Sequence, residues 1–184
     1  MKIDIARQPL VPAFMTLFAL AVAAMCAGIP VSDTSGAVRD ALPLLGGQLA
    51  RFQAAYPVWS KFAAGFMLLF TGMCAGRITI RYNLYTVGTC LPIPLYAIVA
   101  CGIATGGNYL AGFAASMLLS LATKNYCRAF CNGYGFDAIF RASLYLALMP
   151  LIYAPALPLL LLLPLAVLLF RRTLREVAVA TAGL

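Results

Sequence analysis

The chain has 184 residues, of which 64% are hydrophobic and 10% charged, with a mean hydropathy of +0.95 and a formal charge of +8. A soluble domain is roughly 45–50% apolar and about 25% charged, so the composition argues against a soluble globular fold, a nucleic-acid-binding domain and a disordered chain. Histidine is absent, which removes the commonest general base and metal ligand, and with it His-dependent triads, His-ligated zinc and His-ligated haem.

Taken in chain order, the apolar runs predict an all-α, polytopic transmembrane helix bundle with six spans and the start of a seventh. Spanning a bilayer takes about 20 mostly apolar residues. The first run, 10–29, follows Lys2 and Arg7 and reads as a retained helix rather than a cleaved leader, being longer than the apolar part of a signal peptide. Residues 30–56 form the one long polar-leaning loop. Within it, 41–52 is apolar but short and interrupted by Pro43, Gly46 and Gly47, which predicts a re-entrant or amphipathic segment.

The second span is 57–76, with Pro57 placed for a helix start and Tyr56 and Trp59 where an interfacial aromatic belt would lie. Arg77 to Asn83 reads as a turn. Span three covers 85–105 and is expected to break at Pro92 and Pro94. Span four covers 109–123, a loop follows from Lys124 to Phe136, and spans five and six cover 137–154 and 155–170. The apolar residues 177–184 read as the beginning of a seventh span, which predicts a longer parent chain.

Charge orients these spans. With the N-terminus cytoplasmic, Lys2, Arg7, Arg77, Arg81, Lys124, Arg128, Arg141, Arg171, Arg172 and Arg175 fall inside, against Arg39, Arg51 and Lys61 outside. That asymmetry follows the positive-inside rule and predicts a multi-pass protein of the bacterial inner membrane. The lipid bilayer is the expected partner, other membrane proteins are further candidates, and no nucleic acid is expected. Of the six cysteines, only Cys127 and Cys131 fall in the polar loop, on the reducing side, so no disulfide is expected. With no third ligand nearby they make no metal site, and no cofactor is expected.

Three residue groups stand out. Gly72 with Gly76, Gly102 with Gly106, and Gly112 with Ser116 are small residues four apart, the spacing that lets helix backbones approach closely in a bilayer. Packing inside this bundle is the preferred reading over a partner helix. Asp137 and Arg141 are spaced for a structural ion pair on one helix face, with the acid at the positive end of its helix. Asp33 and Asp40 in the first outer loop are the only carboxylates offered for catalysis. Their position resembles that of the catalytic acid in membrane glycosyltransferases that use polyprenyl-phosphate sugars, but solvated loop groups are the preferred reading and no catalytic residue is assigned.

From about Arg77 onward, the segments Leu91-Pro92-Ile93-Pro94-Leu95-Tyr96, Asn132-Gly133-Tyr134-Gly135-Phe136-Asp137, Ala142-Ser143-Leu144-Tyr145, Tyr153-Ala154-Pro155 and Arg175-Glu176 resemble an uncharacterised family of polytopic inner-membrane proteins of the Bacteroidota. The resemblance covers roughly the last 100 residues and implies a longer chain, but no activity and no site residues. The expected role is a non-enzymatic subunit or scaffold of an envelope assembly. A transporter or lipid-handling protein comes second, and a polyprenyl-phosphate-sugar-dependent glycosyltransferase third.

Overall fold

In a computed structural model, residues 10–26, 44–82, 90–104, 108–131, 135–161, 165 and 174–183 are described. Among them every regular element is helical: α1 (Leu10–Cys26), α2 (Leu44–Ala55), α3 (Pro57–Arg81), α4 (Pro92–Ala104), α5 (Tyr109–Cys131), α6 (Phe136–Ile152), a 3₁₀ helix (Ala154–Leu161) and α7 (Leu174–Ala182). At 25 residues and about 37 Å, α3 is the one described helix long and apolar enough to cross a membrane by itself.

Local chemistry explains the boundaries, including those that depart from expectation. Pro57 opens α3, where its missing N–H costs nothing. The helix then runs through the expected turn at Arg77 and ends at Arg81, because nothing from 77 to 81 is a glycine or proline and charge alone does not end a helix. Likewise α5 continues past Lys124 to Cys131, which places Cys127 and Cys131 on a helix rather than in a loop. Pro92 and Pro94 occupy the first turn of α4, where proline is tolerated, and so do not break the described helix. Residues 83–89, the expected start of span three, lie outside the described residues. The chain over 154–161 winds as a 3₁₀ helix rather than the expected α-helix; Pro155 and Pro158 within it have no N–H to give to either kind of turn. The segment expected to be re-entrant or amphipathic forms α2, which packs on α3, α5 and α6.

Close contacts fix the helix directions. Leu17 of α1 lies over Gly72 of α3 and Met25 over Gly65, so α1 and α3 are antiparallel. Ile93, in the first turn of α4, lies over Gly76 near the far end of α3, so α4 returns along α3. Tyr109, the first residue of α5, meets Ser60 in the first turn of α3, so α5 and α3 run the same way. Gly135, the N-cap of α6, abuts Ala129 near the end of α5, and α5 with α6 makes the most extensive helix–helix contact.

Two cores result. Ala13, Leu17 and Ala21 of α1 meet Ala64 and Leu68 of α3, Ile93, Ala97 and Ala100 of α4, and Leu110 and Phe113 of α5. Ala115, Ala122 and Ala129 of α5 meet Ala138, Ala142, Leu146 and Met149 of α6, Ala156 of the 3₁₀ helix and Ala180 of α7. Small residues dominate inside. Many large ones point out: Phe14 and Phe18 on α1; Trp59, Phe62 and Phe66 on α3; Ile98 and Val99 on α4; Phe140 and Leu144 on α6.

Hydroxyl groups within the helices bond back to their own backbone: Thr16 to the Ala13 carbonyl, Thr79 to Gly76, Ser116 to Phe113, Ser120 to Met117 and Ser143 to Phe140, at 2.8–2.9 Å. Such bonds remove the cost of a hydroxyl in apolar surroundings. Thr71 differs, being 3% exposed with a hydroxyl that reaches no described hydrogen-bond partner. Thr71→Val replaces that hydroxyl by a methyl of similar shape and is expected to stabilise the fold by about 1 kcal/mol, read as a higher unfolding midpoint in detergent. An unchanged or lower midpoint would show the hydroxyl to be satisfied.

Two glycines give opposite expectations. A Cβ on Gly135 would stand 2.8 Å from the Cα and 2.9 Å from the Cβ of Ala129. The obstacle is backbone and cannot rotate away, so Gly135→Ala is expected to cost about 1–3 kcal/mol. Its φ of −129° is open to any residue, so close approach is the reason for glycine. On Gly47, inside α2, an added Cβ meets nothing within 4 Å. Gly47→Ala is therefore expected to stabilise by about 0.5–1 kcal/mol through helix propensity. Thermal unfolding of the two variants side by side checks both signs.

Candidate functional site

Polar side chains inside an apolar bundle are where function would have to be built, and two groups of described ones lie at opposite ends, apart from Thr71 within α3 and Glu176 on α7, both 3% exposed. At the first end, α2, α3 and α5 meet. Ser60 is fully buried and Tyr109 is 5% exposed. Their hydroxyl oxygens are 2.5 Å apart, and Ser60 Oγ also lies 2.8 Å from the Pro57 carbonyl. A serine hydroxyl carries one proton. That proton goes to Pro57, so Tyr109 donates to Ser60.

Beside this pair, the backbone N–H of Leu110 donates to Gln53 Oε1 at 3.4 Å. This meets one of the N–H groups that every helix start leaves open. Halfway along α5, Tyr96 of α4 lies 3.3 Å from Ser116 Oγ, whose own proton goes to Phe113. These are hydroxyl relays ending on carbonyls. They hold α2, α3, α4 and α5 in register, but no carboxylate or other base stands in them to activate a nucleophile.

The second end is basic. Because α3 and α5 run the same way and α6 starts where α5 stops, Arg77 and Arg81, Lys124 and Arg128, and Asp137 and Arg141 all fall at one end of the bundle. Arg51 and Lys61 lie at the other. Arg141 Nε donates to Asp137 Oδ1 at 3.0 Å, with the side chains 57% and 71% exposed. It is an exposed ion pair of i,i+4 spacing. Near this end, beyond Lys124, the Tyr126 ring lies tilted against Phe130 with ring centroids 4.6 Å apart. Burial, with Cys127 beside it, pushes the Tyr126 phenol up to about 12, so it stays protonated at any physiological pH.

The residues singled out in the sequence distribute as follows. Gly72 and Gly76 face Leu17 and Ile93 within the bundle. Gly112 and Ser116 are half-buried on α5. Gly102 lies in α4, whereas Gly106, Asp33 and Asp40 lie outside the described residues. Cys74 and Cys90 are free thiols, and no group of three or more His, Cys, Asp or Glu gathers among the described residues. The Ser60–Tyr109 contact escaped sequence reasoning because its partners are 49 residues apart. The one local hint was a serine a single turn into an apolar helix.

No protein-family profile, curated protein or solved structure matches this chain. The resemblance noted above therefore rests on the residues quoted for it.

Proposed function

We propose that the chain is a multi-pass inner-membrane protein with a cytoplasmic N-terminus, built as a bundle of six spans, and that it serves as a non-enzymatic subunit or scaffold of an envelope assembly. The observation that carries the membrane part is the inverted distribution of size. Alanine is the commonest residue of the interior, which also holds Leu17, Leu68, Ile93, Leu110 and Phe113, while Trp59 is 68% exposed, Phe66 67%, Val99 67% and Leu161 72%. Soluble monomers rarely expose contiguous apolar patches beyond a few hundred Å². Lipid-solvated helices pack through small residues and leave large ones to the acyl chains.

The clustering of five described cations at one end supports the orientation, since the positive-inside rule would make that end cytoplasmic. In favour of a subunit or scaffold, the Ser60–Tyr109 and Tyr96–Ser116 contacts tie helices together. The transporter reading draws on a helix break at Pro92 and Pro94, which open α4. Kinship with the Bacteroidota family belongs to the same proposal.

Alkaline carbonate extraction followed by reporter fusions tests membrane insertion and topology. The chain is expected to stay in the pellet, with alkaline phosphatase active after Gly36 and inactive after Asn83. Release into the supernatant would overturn the membrane reading, and the reverse fusion pattern would overturn the orientation. Native mass spectrometry of a mild extract tests the role: other subunits at fixed stoichiometry support an assembly, and a lone chain carrying polyprenyl lipid overturns it.

The ion pair gives a second expectation in the same membranes. Asp137→Ala leaves the Arg141 charge at the membrane boundary without its partner. Membrane yield is expected to fall about twofold, the scale of an exposed i,i+4 pair. Arg141→Leu in the same chain should restore the yield. No rescue would mean that the pair has no part in insertion.

A further inference from the structure

We propose that the outer face of α3 binds an anionic phospholipid of the cytoplasmic leaflet, an acyl chain lying along Phe66, Phe70 and Met73 and the phosphate held by Arg77 and Arg81. The inference rests on the membrane reading above and goes beyond it by assigning a ligand to one helix face.

The spacing comes first. Positions 66, 70, 73, 77 and 81 are successive three- and four-residue steps, so they lie on one stripe of the helix. All five are exposed, with Phe66 and Phe70 stacked at 6.4 Å, while α1, α2, α4 and α5 pack against α3 on its other sides. The stripe is apolar up to Met73 and cationic from Arg77 onward, matching an amphiphile whose charged group is at the cytoplasmic end.

Length selects the ligand class. From Phe66 to Arg77 the helix rises about 16 Å, close to half of the roughly 30 Å hydrocarbon core. That is the depth of one acyl chain in one leaflet. Four residues apart, the two guanidinium groups share the helix face and can both reach one phosphate, a geometry suited to arginine. Among the described residues neither is engaged by a carboxylate, since the ion pair identified there belongs to Arg141 and Asp137.

The other basic positions lack this combination. Going back one and two turns from Lys124 and Arg128, Ser120 and Met117 are half-buried and Phe113 is 2% exposed, so no open apolar track leads to them. Arg141 follows Asp137 on its own helix and is held by it.

The test uses the full chain, exchanged from its membranes into mixed micelles holding equal amounts of phosphatidylglycerol and phosphatidylcholine, with retained lipid read by native mass spectrometry. Phosphatidylglycerol adducts are expected to outnumber phosphatidylcholine adducts. Arg77→Gln with Arg81→Gln should cut them about tenfold, whereas Lys124→Gln with Arg128→Gln should change them less than about twofold. Phe66→Ala with Phe70→Ala keeps both charges and should still lower retention, which decides the matter if the arginine variant fails to fold.

Equal retention of the two lipids, an equal drop in both cation variants, or a lipid-free dimer seated on this face would each overturn the proposal. Carbonate extraction separates the two levels of failure. A chain that stays in the pellet without lipid preference sinks only this inference, and a chain released by carbonate sinks the membrane reading with it.

Discussion

Gly76→Ala is expected to destabilise the detergent-solubilised chain by about 1–3 kcal/mol, more than the same change at Gly72 or Gly65. All three glycines of α3 lie against a neighbouring side chain, but the obstacles differ in how readily they move. At Gly76 an added Cβ would sit 2.5 Å from both Cδ1 and Cγ1 of Ile93. That isoleucine is 1% exposed and β-branched, so it is stiff at χ1 and has no empty space to turn into. At Gly72 the intruded atoms are the two terminal methyls of Leu17, at 2.8 Å, on a side chain whose end can rotate but which is fully buried. At Gly65 the obstacle is the end of Met25, an unbranched side chain that adapts readily.

The expected order of cost is therefore 76, then 72, then 65. Ile93→Ala alone should cost about 2–5 kcal/mol through the cavity it leaves. In the double variant the new methyl enters that cavity, so the two costs should fall short of their sum by at least about 1 kcal/mol. Unfolding titrated with a denaturing detergent measures all four chains. Strict additivity would mean that α3 and α4 do not touch at this point.

The same three glycines mark how far the sequence could be read. Gly72 and Gly76, four apart in an apolar run, announce a close helix approach. Which helix approaches is a tertiary fact, carried by Leu17 and Ile93, and spacing does not encode it. Boundaries failed where a signal had two physical meanings. A proline in an apolar run either kinks a helix or starts one. Pro92 and Pro94 start α4, and choosing between the two required the structure around Cys90 and Leu91.

Charged residues mislead differently. Arg77, Arg81, Lys124 and Arg128 mark where solvent or headgroups begin, and helices extend past that level by a turn or two. The short apolar piece inside the first outer loop reads as re-entrant or amphipathic, and α2 forms there because Gly46 and Gly47 weaken helical structure without forbidding it. The direction of each helix was legible only as a consequence of the charge asymmetry. The structure shows only how α1, α3, α4, α5 and α6 run relative to one another, through Gly72, Gly76, Ser60 and Gly135.

Ser60→Ala is expected to cost about 1–3 kcal/mol, and Tyr109→Phe only about 0.5–1.5 kcal/mol, although both break the same hydrogen bond. The asymmetry follows from who donates. Ser60 gives its proton to the Pro57 carbonyl and accepts the proton of Tyr109. Removing the tyrosine hydroxyl leaves the serine still bonded to Pro57. Removing the serine hydroxyl strands the phenol in a position 5% exposed, and a buried donor with no acceptor carries its full desolvation cost. It also releases the Pro57 carbonyl from its side-chain bond.

With both groups replaced, no donor is stranded, so Ser60→Ala with Tyr109→Phe should be no less stable than Ser60→Ala alone. The contact joins the first turns of α3 and α5, so its loss should also loosen α2, whose Gln53 receives the neighbouring Leu110 N–H. Faster hydrogen exchange at Leu110 in the serine variant than in the tyrosine variant would report this directly. The opposite order of stabilities would mean that the proton flows from Ser60 to Tyr109 and that Pro57 is not its acceptor.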